Sequence, residues 1–272
     1  MSTDVTRGYV SGPGGQVHYR RSGIQGPFLI LLHPTPVSSV AFERALPLLG
    51  RSLQAIAIDT PGYGMSDRPP VPSPGIEDYV RQIAAAVDGL GIENFALYGS
   101  HTGSAVAIAL HNAIPHRITH LAMSGVPILN EDEIGFFFRN LGEPAMEPDG
   151  GHLVRMWKSL GNLAPDPTVL DQLQMASSQA ISIYDHYLDG LRAVSRFDMR
   201  AAAKNIRRPV FILSAEFDRL AAQVNRLSEL NPETTVKIVP GAHPQLPWTN
   251  PAIFADEIAT YVTGTAPSQR AA

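Results

Sequence analysis

The residue types and spacing that could do chemistry converge on one short stretch, Leu97-Tyr98-Gly99-Ser100-His101-Thr102-Gly103-Ser104-Ala105-Val106. An apolar run (Phe95, Leu97, Tyr98) precedes its centre, and a small, apolar, helix-forming run follows from Ser104 to Leu110. Strand, sharp turn and helix in that order, with Gly99 and Gly103 bracketing one central residue, describe the corner called a nucleophile elbow. The turn presses strand against helix, so a Cβ at either glycine collides, and the strained backbone lifts the central side chain clear of the sheet. That place usually belongs to Ser, Cys or Asp. Here it holds the imidazole of His101. Ser100 sits one position off the apex, and its side chain is expected to point into the packing.

The elements that must hold this corner follow from the pattern of apolar residues. Gly8–Val10 and Gln16–Arg21, joined by a Gly/Pro-rich link, read as an antiparallel hairpin. Phe28–Leu32, Ala55–Ile58, Ile118–Met123, Pro209–Leu213 and Thr235–Val239 read as strands, the first two as runs buried on both faces. Helices are expected from Ser39 to about Leu49, from Ile76 to Leu90, from Leu220 to Leu230 and from Pro251 to Thr263, the last with Pro251 in its first turn. Strands alternating with helices imply an α/β chain with a mostly parallel, doubly wound sheet of about eight strands. From 127 to 208 the alternation stops. This stretch reads as helices broken by Gly142, Pro144, Pro148 and Pro165-Asp166-Pro167, and it carries Phe136, Phe137, Phe138, Met156, Trp157, Tyr184 and Tyr187. Those side chains serve either as the core of a helical subdomain or as the inner face of a lid; Phe137, Trp157 and Tyr187 are the candidates for touching substrate. The expected division is a core of 1–126 and 209–272 with a helical cap of 127–208. The tail from Gly264 is expected to fray.

In an open parallel sheet, ligands bind outside the carboxyl ends of the strands. His33, Asp59, His101, Asp218 and His243 fall at such ends, and their convergence on one crevice is hard to explain by packing alone. The supporting segments are His33-Pro34-Thr35-Pro36, Asp59-Thr60-Pro61-Gly62-Tyr63-Gly64-Met65-Ser66-Asp67, the elbow, Ser214-Ala215-Glu216-Phe217-Asp218 and Pro240-Gly241-Ala242-His243. With these segments in this order, the chain from Gly8 to Thr263 resembles the α/β-hydrolase fold superfamily, in the branch with an inserted helical lid. The resemblance implies that His243 is the general base and that Asp218 fixes its tautomer. It also implies an oxyanion hole from the backbone N–H groups of Thr35 and Thr102. Pro34 stands where a glycine is usual and has no N–H, while Thr35 can still donate. His33 is read as a loop-holding residue, and Asp59, the Gly62-Tyr63-Gly64 turn, Ser66 and Asp67 as architecture. His111, His116 and His120 do not share a face, so they are read as structural rather than as a metal site.

Three uses of His101 remain open at this level. A ring nitrogen could attack an acyl carbon and give an acyl-imidazole, which water activated by His243 would hydrolyse. His101 could instead trade protons with His243 across a water or substrate, in hydrolysis or in lyase or hydratase chemistry. Or the elbow could have lost its nucleophile and bind a small apolar ligand without turnover. The leading expectation is a cofactor-independent hydrolase of an ester, lactone, thioester or C–C bond in a small apolar or aromatic acyl compound, working through His101, His243 and Asp218.

Composition narrows the setting. The 272 residues suit one large α/β domain with an insertion, and a net charge of −4 predicts neither a nucleic acid nor an anionic membrane as partner. The lack of cysteine excludes disulfides, a thiol nucleophile and cysteine-bound metals. Met1–Val10 has no signal-peptide core, and the longest apolar runs fall short of a membrane span. A cytoplasmic monomer or homodimer acting on a small molecule, with no metal and no cofactor, is the expectation.

Overall fold

The computed structural model describes residues 4–143, 145–164 and 169–264. Pro144, Pro165-Asp166-Pro167 and the tail after Gly264 lie outside them. Among the described residues there are eight strands: β1 (Thr6–Gly12), β2 (Gly15–Ser22), β3 (Phe28–Leu32), β4 (Gln54–Ile58), β5 (Phe95–Ser100), β6 (Ile118–Ser124), β7 (Val210–Ala215) and β8 (Thr234–Val239). They form one sheet in the order β1-β2-β4-β3-β5-β6-β7-β8. β1 pairs with β2 and β2 with β4 antiparallel; every later pairing is parallel. The helices are α1 (Leu46–Leu49), α2 (Ile76–Gly89), α3 (Thr102–Ala113), α4 (Glu131–Leu141), α5 (Gly151–Leu163), α6 (Leu170–Ser182), α7 (Asp189–Arg196), α8 (Met199–Lys204), α9 (Gln223–Leu230), α10 (Leu246–Thr249) and α11 (Pro251–Thr263).

β3 shows why its sequence is uniformly apolar. Ile30 and Leu32 enter one apolar layer with Ile83 and Val87 of α2 and Ile108 of α3. Leu29 and Leu31 enter the other with Leu46 and Leu49 of α1 and Phe254 and Ile258 of α11. Successive side chains leave a strand on opposite faces, so a strand covered on both sides has no room for a polar alternation.

The expected single helix from Ser39 to Leu49 is instead a 3₁₀ turn over Ser39–Phe42 followed by the one-turn α1. Pro47 breaks it: with no N–H to give to the preceding turn, it suits only the first turn of a new helix. Ser38 caps the first piece, its side chain accepting from the Val40 N–H. Helix α9 likewise starts three residues later than expected, because Asp218–Ala222 form the turns that present Asp218.

Between β6 and β7 the chain runs through α4–α8. α4 packs on α5 and α5 on α6, whereas α7 and α8 lie back on α2 and α3. Several arginines outside this stretch hold it: Arg44 pairs with Asp171 at 2.6 Å, Arg226 with Glu133 at 2.7 Å and Arg68 with Asp185 at 3.2 Å. Arg219 donates to the carbonyls of Asn162 and Leu163, each at 2.7 Å, closing the C-terminal end of α5. No helix among the described residues is long and apolar enough to cross a membrane.

Candidate active site

The corner after β5 forms as its glycines require. A Cβ at Gly99 would run into the Gly103 backbone, and one at Gly103 into the carbonyl of Leu32. His101 takes φ 51° and ψ −113°, a strained region for a residue with a side chain, and its N–H is given to the Ser124 carbonyl at 2.9 Å. The strain aims the imidazole away from the sheet. Ser100, by contrast, is buried and does not line the cavity above the corner.

Asp218, on the turn after β7, meets this imidazole directly. His101 Nε2 lies 2.8 Å from Asp218 Oδ2, and the Leu220 N–H donates to Oδ1 at 2.9 Å. This corrects the sequence-based assignment of Asp218 to His243. An imidazole is longer than the hydroxyl usual at an elbow, so it spans the gap that an intervening histidine would otherwise bridge. Gly125, just after β6, provides the clearance. Its Cα lies against the Cδ2–Nε2 edge of the ring, and a Cβ there would occupy the ring's own space. Gly125 also has φ +58°, which a side chain adopts poorly.

The protonation state follows from the partners. An ionised carboxylate only accepts, so Nε2 carries the proton and donates to Asp218. The opposite Nδ1–Cε1 edge is turned away from Gly125, and Nδ1 makes no hydrogen bond to the described residues. Burial pulls the His101 imidazolium toward deprotonation, but the Asp218 charge and hydrogen bond outweigh it and raise the pKa above the ordinary value. Burial pushes the Asp218 carboxyl up, and its contacts with His101 and the Leu220 N–H bring it below the usual carboxylate range.

His101, Asp218 and His243 line one cavity of about 190 Å³. A cavity of about 150 Å³ takes a benzene-sized molecule, so this one suits a single ring or a short acyl chain. His243 has its ring packed on Phe217, centroids 5.4 Å apart, and has no hydrogen bond to Asp218. Thr35 and Thr102 also line the cavity, their hydroxyls 2.8 Å apart. Thr102 is the first residue of α3, so its N–H has no acceptor within the helix; Thr35 retains an N–H between two prolines. From the inserted stretch, Phe137 of α4 and Tyr187 of the turn between α6 and α7 line the cavity, and Tyr187 Oη donates to the carbonyls of Leu141 and Gly142. Trp157 does not line it, and Tyr184 packs in the apolar layer instead.

The remaining polar residues of the sequence reading hold the frame. His33 is fully buried, its Nε2 accepting from the Thr60 N–H at 2.8 Å and its Nδ1 donating to the Pro34 carbonyl at 2.9 Å. Both nitrogens are engaged, and burial lowers its pKa. Asp59 accepts from His18 Nδ1 and from the N–H groups of Ser39 and Met65, outside the cavity lining. Among the described residues no three His, Cys, Asp or Glu side chains converge as metal ligands.

The chain has recognisable relatives. Over 194 residues it is 29% identical to an uncharacterized hydrolase of Saccharomyces cerevisiae, a match taking in 71% of this chain and 62% of that protein's length. Over 256 residues it is 23% identical to the 2-(acetamidomethylene)succinate hydrolase of Mesorhizobium japonicum, covering 87% of this chain and 88% of the relative. The enol-lactonase structure from Burkholderia xenovorans LB400 superposes with a TM-score of 0.80 at 18% identity, over 94% of this chain and all of that one. Residues 29–257 match the model of the alpha/beta hydrolase family. The chain belongs to that family.

Proposed function

We propose that this alpha/beta hydrolase cleaves an ester, lactone, thioester or C–C bond of a small apolar or aromatic acyl compound without a cofactor, and that His101, held by Asp218, is its reactive group. What carries the reading is the 2.8 Å contact from His101 Nε2 to Asp218, which leaves the Nδ1 lone pair for chemistry. That lone pair can attack an acyl carbon or take a proton from water. Nδ1 is flanked by the residue's own Cβ, so an attacking geometry would press the acyl carbon against the His101 backbone. A water molecule meets no such obstacle. General-base activation of water is therefore the preferred step.

In this scheme Nδ1 takes a proton from water as the water oxygen bonds to the acyl carbon. The developing oxyanion is met by the N–H groups of Thr102 and Thr35. The tetrahedral species then breaks its bond to the leaving group, which receives the proton from the His101 imidazolium by way of His243. Water has been divided across the bond and both imidazoles are restored. The size and largely apolar lining of the cavity support a substrate with one ring or short chain.

The test uses a panel of aryl acetates and lactones with rapid quenching and intact-mass measurement. Wild-type turnover with no acyl adduct on His101, and a loss of about 10³-fold or more in His101→Gln, is the expected result. An accumulating adduct on His101 would replace water activation by direct attack. Undiminished turnover in His101→Gln would remove His101 from the reaction.

A further inference from the structure

Two residues beyond His243, the same cavity contains a side-chain amide that the protein does not satisfy. Gln245 lines the cavity, and its Oε1 is buried with no hydrogen-bond partner among the described residues. The Gln245 carbonyl accepts from the Trp248 N–H at 2.8 Å and the Thr249 N–H at 3.1 Å, which starts α10 and pins the residue in place. Its backbone lies at φ 61° and ψ 54°, in the left-handed region that glycine adopts freely and glutamine does not. Glycine here would relieve the backbone and remove the unpaired amide together. The fold thus bears two costs at one residue that its own packing does not require. Such costs gather where a ligand completes the structure. Gln82 and Gln179 have their amide oxygens paired within the protein, accepting from the Gly14 N–H at 2.9 Å and from Ser38 at 2.6 Å; Gln223 Oε1 is also unpartnered, but that residue lies outside the cavity lining and its Nε2 donates to Glu133.

We propose that Gln245 is a specificity-determining residue whose amide pairs with a neutral hydroxyl or carboxamide carried by the substrate away from the bond that is cut. The proposal rests on the hydrolytic reading of this cavity and adds a substrate class to it: a small acyl compound with an apolar body and one uncharged hydrogen-bonding group. An uncharged group fits better than a carboxylate. Arg219 also lines the cavity, but its Nε and one terminal nitrogen are already given to the ends of α5. A polar pocket group left unpaired by the wrong ligand discriminates far more strongly than a missing methyl contact does.

The test compares 4-(hydroxymethyl)phenyl acetate with 4-ethylphenyl acetate, which differ by a hydroxyl in place of a methyl. In the full-length protein kcat/KM should favour the hydroxymethyl ester by about tenfold or more. Gln245→Leu, similar in volume, should bring the ratio within about twofold, chiefly by lowering kcat/KM for the hydroxymethyl ester. Gln245→Gly should do the same while raising Tm, and it guards against a leucine variant that fails to fold. No preference in the wild type, or a preference that persists in both variants, overturns the proposal. Should neither ester be cleaved, the hydrolytic reading fails separately. The Kd values of 4-(hydroxymethyl)phenol and 4-ethylphenol, measured by calorimetry on the same proteins, then decide: a preference lost in the variants supports the role of Gln245, and equal values overturn it.

Discussion

Among the described residues two aspartate–histidine pairs lie at strand ends, each with a 2.8 Å contact, and they behave as opposites. In the first, Asp59 and His18 are 1% and 4% exposed at the side chain, and backbone N–H groups of Ser39 and Met65 also donate to the carboxylate, one to each oxygen. In the second, Asp218 is equally enclosed, at 3%, but the His101 ring is 26% exposed and faces a cavity. Burial pushes the Asp59 carboxyl up, yet the His18 hydrogen bond, the nearby His33 and the two N–H groups bring it down to about 2. The same physics fastens the frame in one place and, in the reaction proposed above, holds the reactive ring in the other. An aspartate–histidine pair becomes reactive when one nitrogen keeps an open face, not merely because the pair exists.

The sharpest way to break this comparison is to neutralise each carboxylate in turn. In Asp218→Asn the amide turns a donor toward Nε2, so the ring takes the other tautomer and loses its lone pair from the cavity. Turnover should fall about 10⁴-fold with folding intact, the size such a tautomer error has in a hydrolytic triad. In Asp59→Asn the amide NH₂ must face a backbone N–H on whichever side it lies. That variant should lose about 3 kcal/mol in urea unfolding, while the folded fraction keeps its kcat. Equal loss of stability in the two variants, with no difference in turnover, would erase the distinction.

A smaller effect should come from Gly125→Ala, which leaves both carboxylates in place and pushes the His101 ring aside. A displacement of about 1 Å at a reacting group costs about 10²-fold, so kcat should drop by that order with KM little changed. The mildest prediction concerns pH. Asp218 raises the His101 pKa and the reaction needs the neutral ring, so kcat/KM should rise with pH through a midpoint above that of ordinary histidine. In Asp218→Asn the carboxylate's contribution is gone and burial acts alone, so the midpoint of any residual activity should move to lower pH. Stability at Asp59 runs in the same direction but over a lower window: its contribution is complete above the ordinary carboxylate pKa and is lost as pH falls toward about 2.

Much of this was legible in the amino-acid order. The doubly covered strands announced themselves as unbroken apolar runs, and Gly99 and Gly103 marked the corner at His101 because no other residue fits there. The convergence of His101, Asp218 and His243 on one crevice followed from strand ends. Which histidine receives Asp218 did not, because chain order tells which loops meet but not how far each side chain reaches. The signal that decides it is Gly125, and a lone glycine after a strand resembles any turn glycine. Gln245 escaped notice for a similar reason, since neither its left-handed backbone nor its unpaired amide has a sequence signature. Trp157 illustrates the reverse error: an aromatic residue in an inserted helix has several faces it can cover, and the cavity is only one of them.

Arg219 ties these levels together. It follows Asp218 directly in the chain and grips the last carbonyls of α5. The end of α5 is thereby fastened one peptide unit away from the carboxylate that holds the His101 ring, so the inserted helices and the ring beneath them are tied to the same short turn after β7.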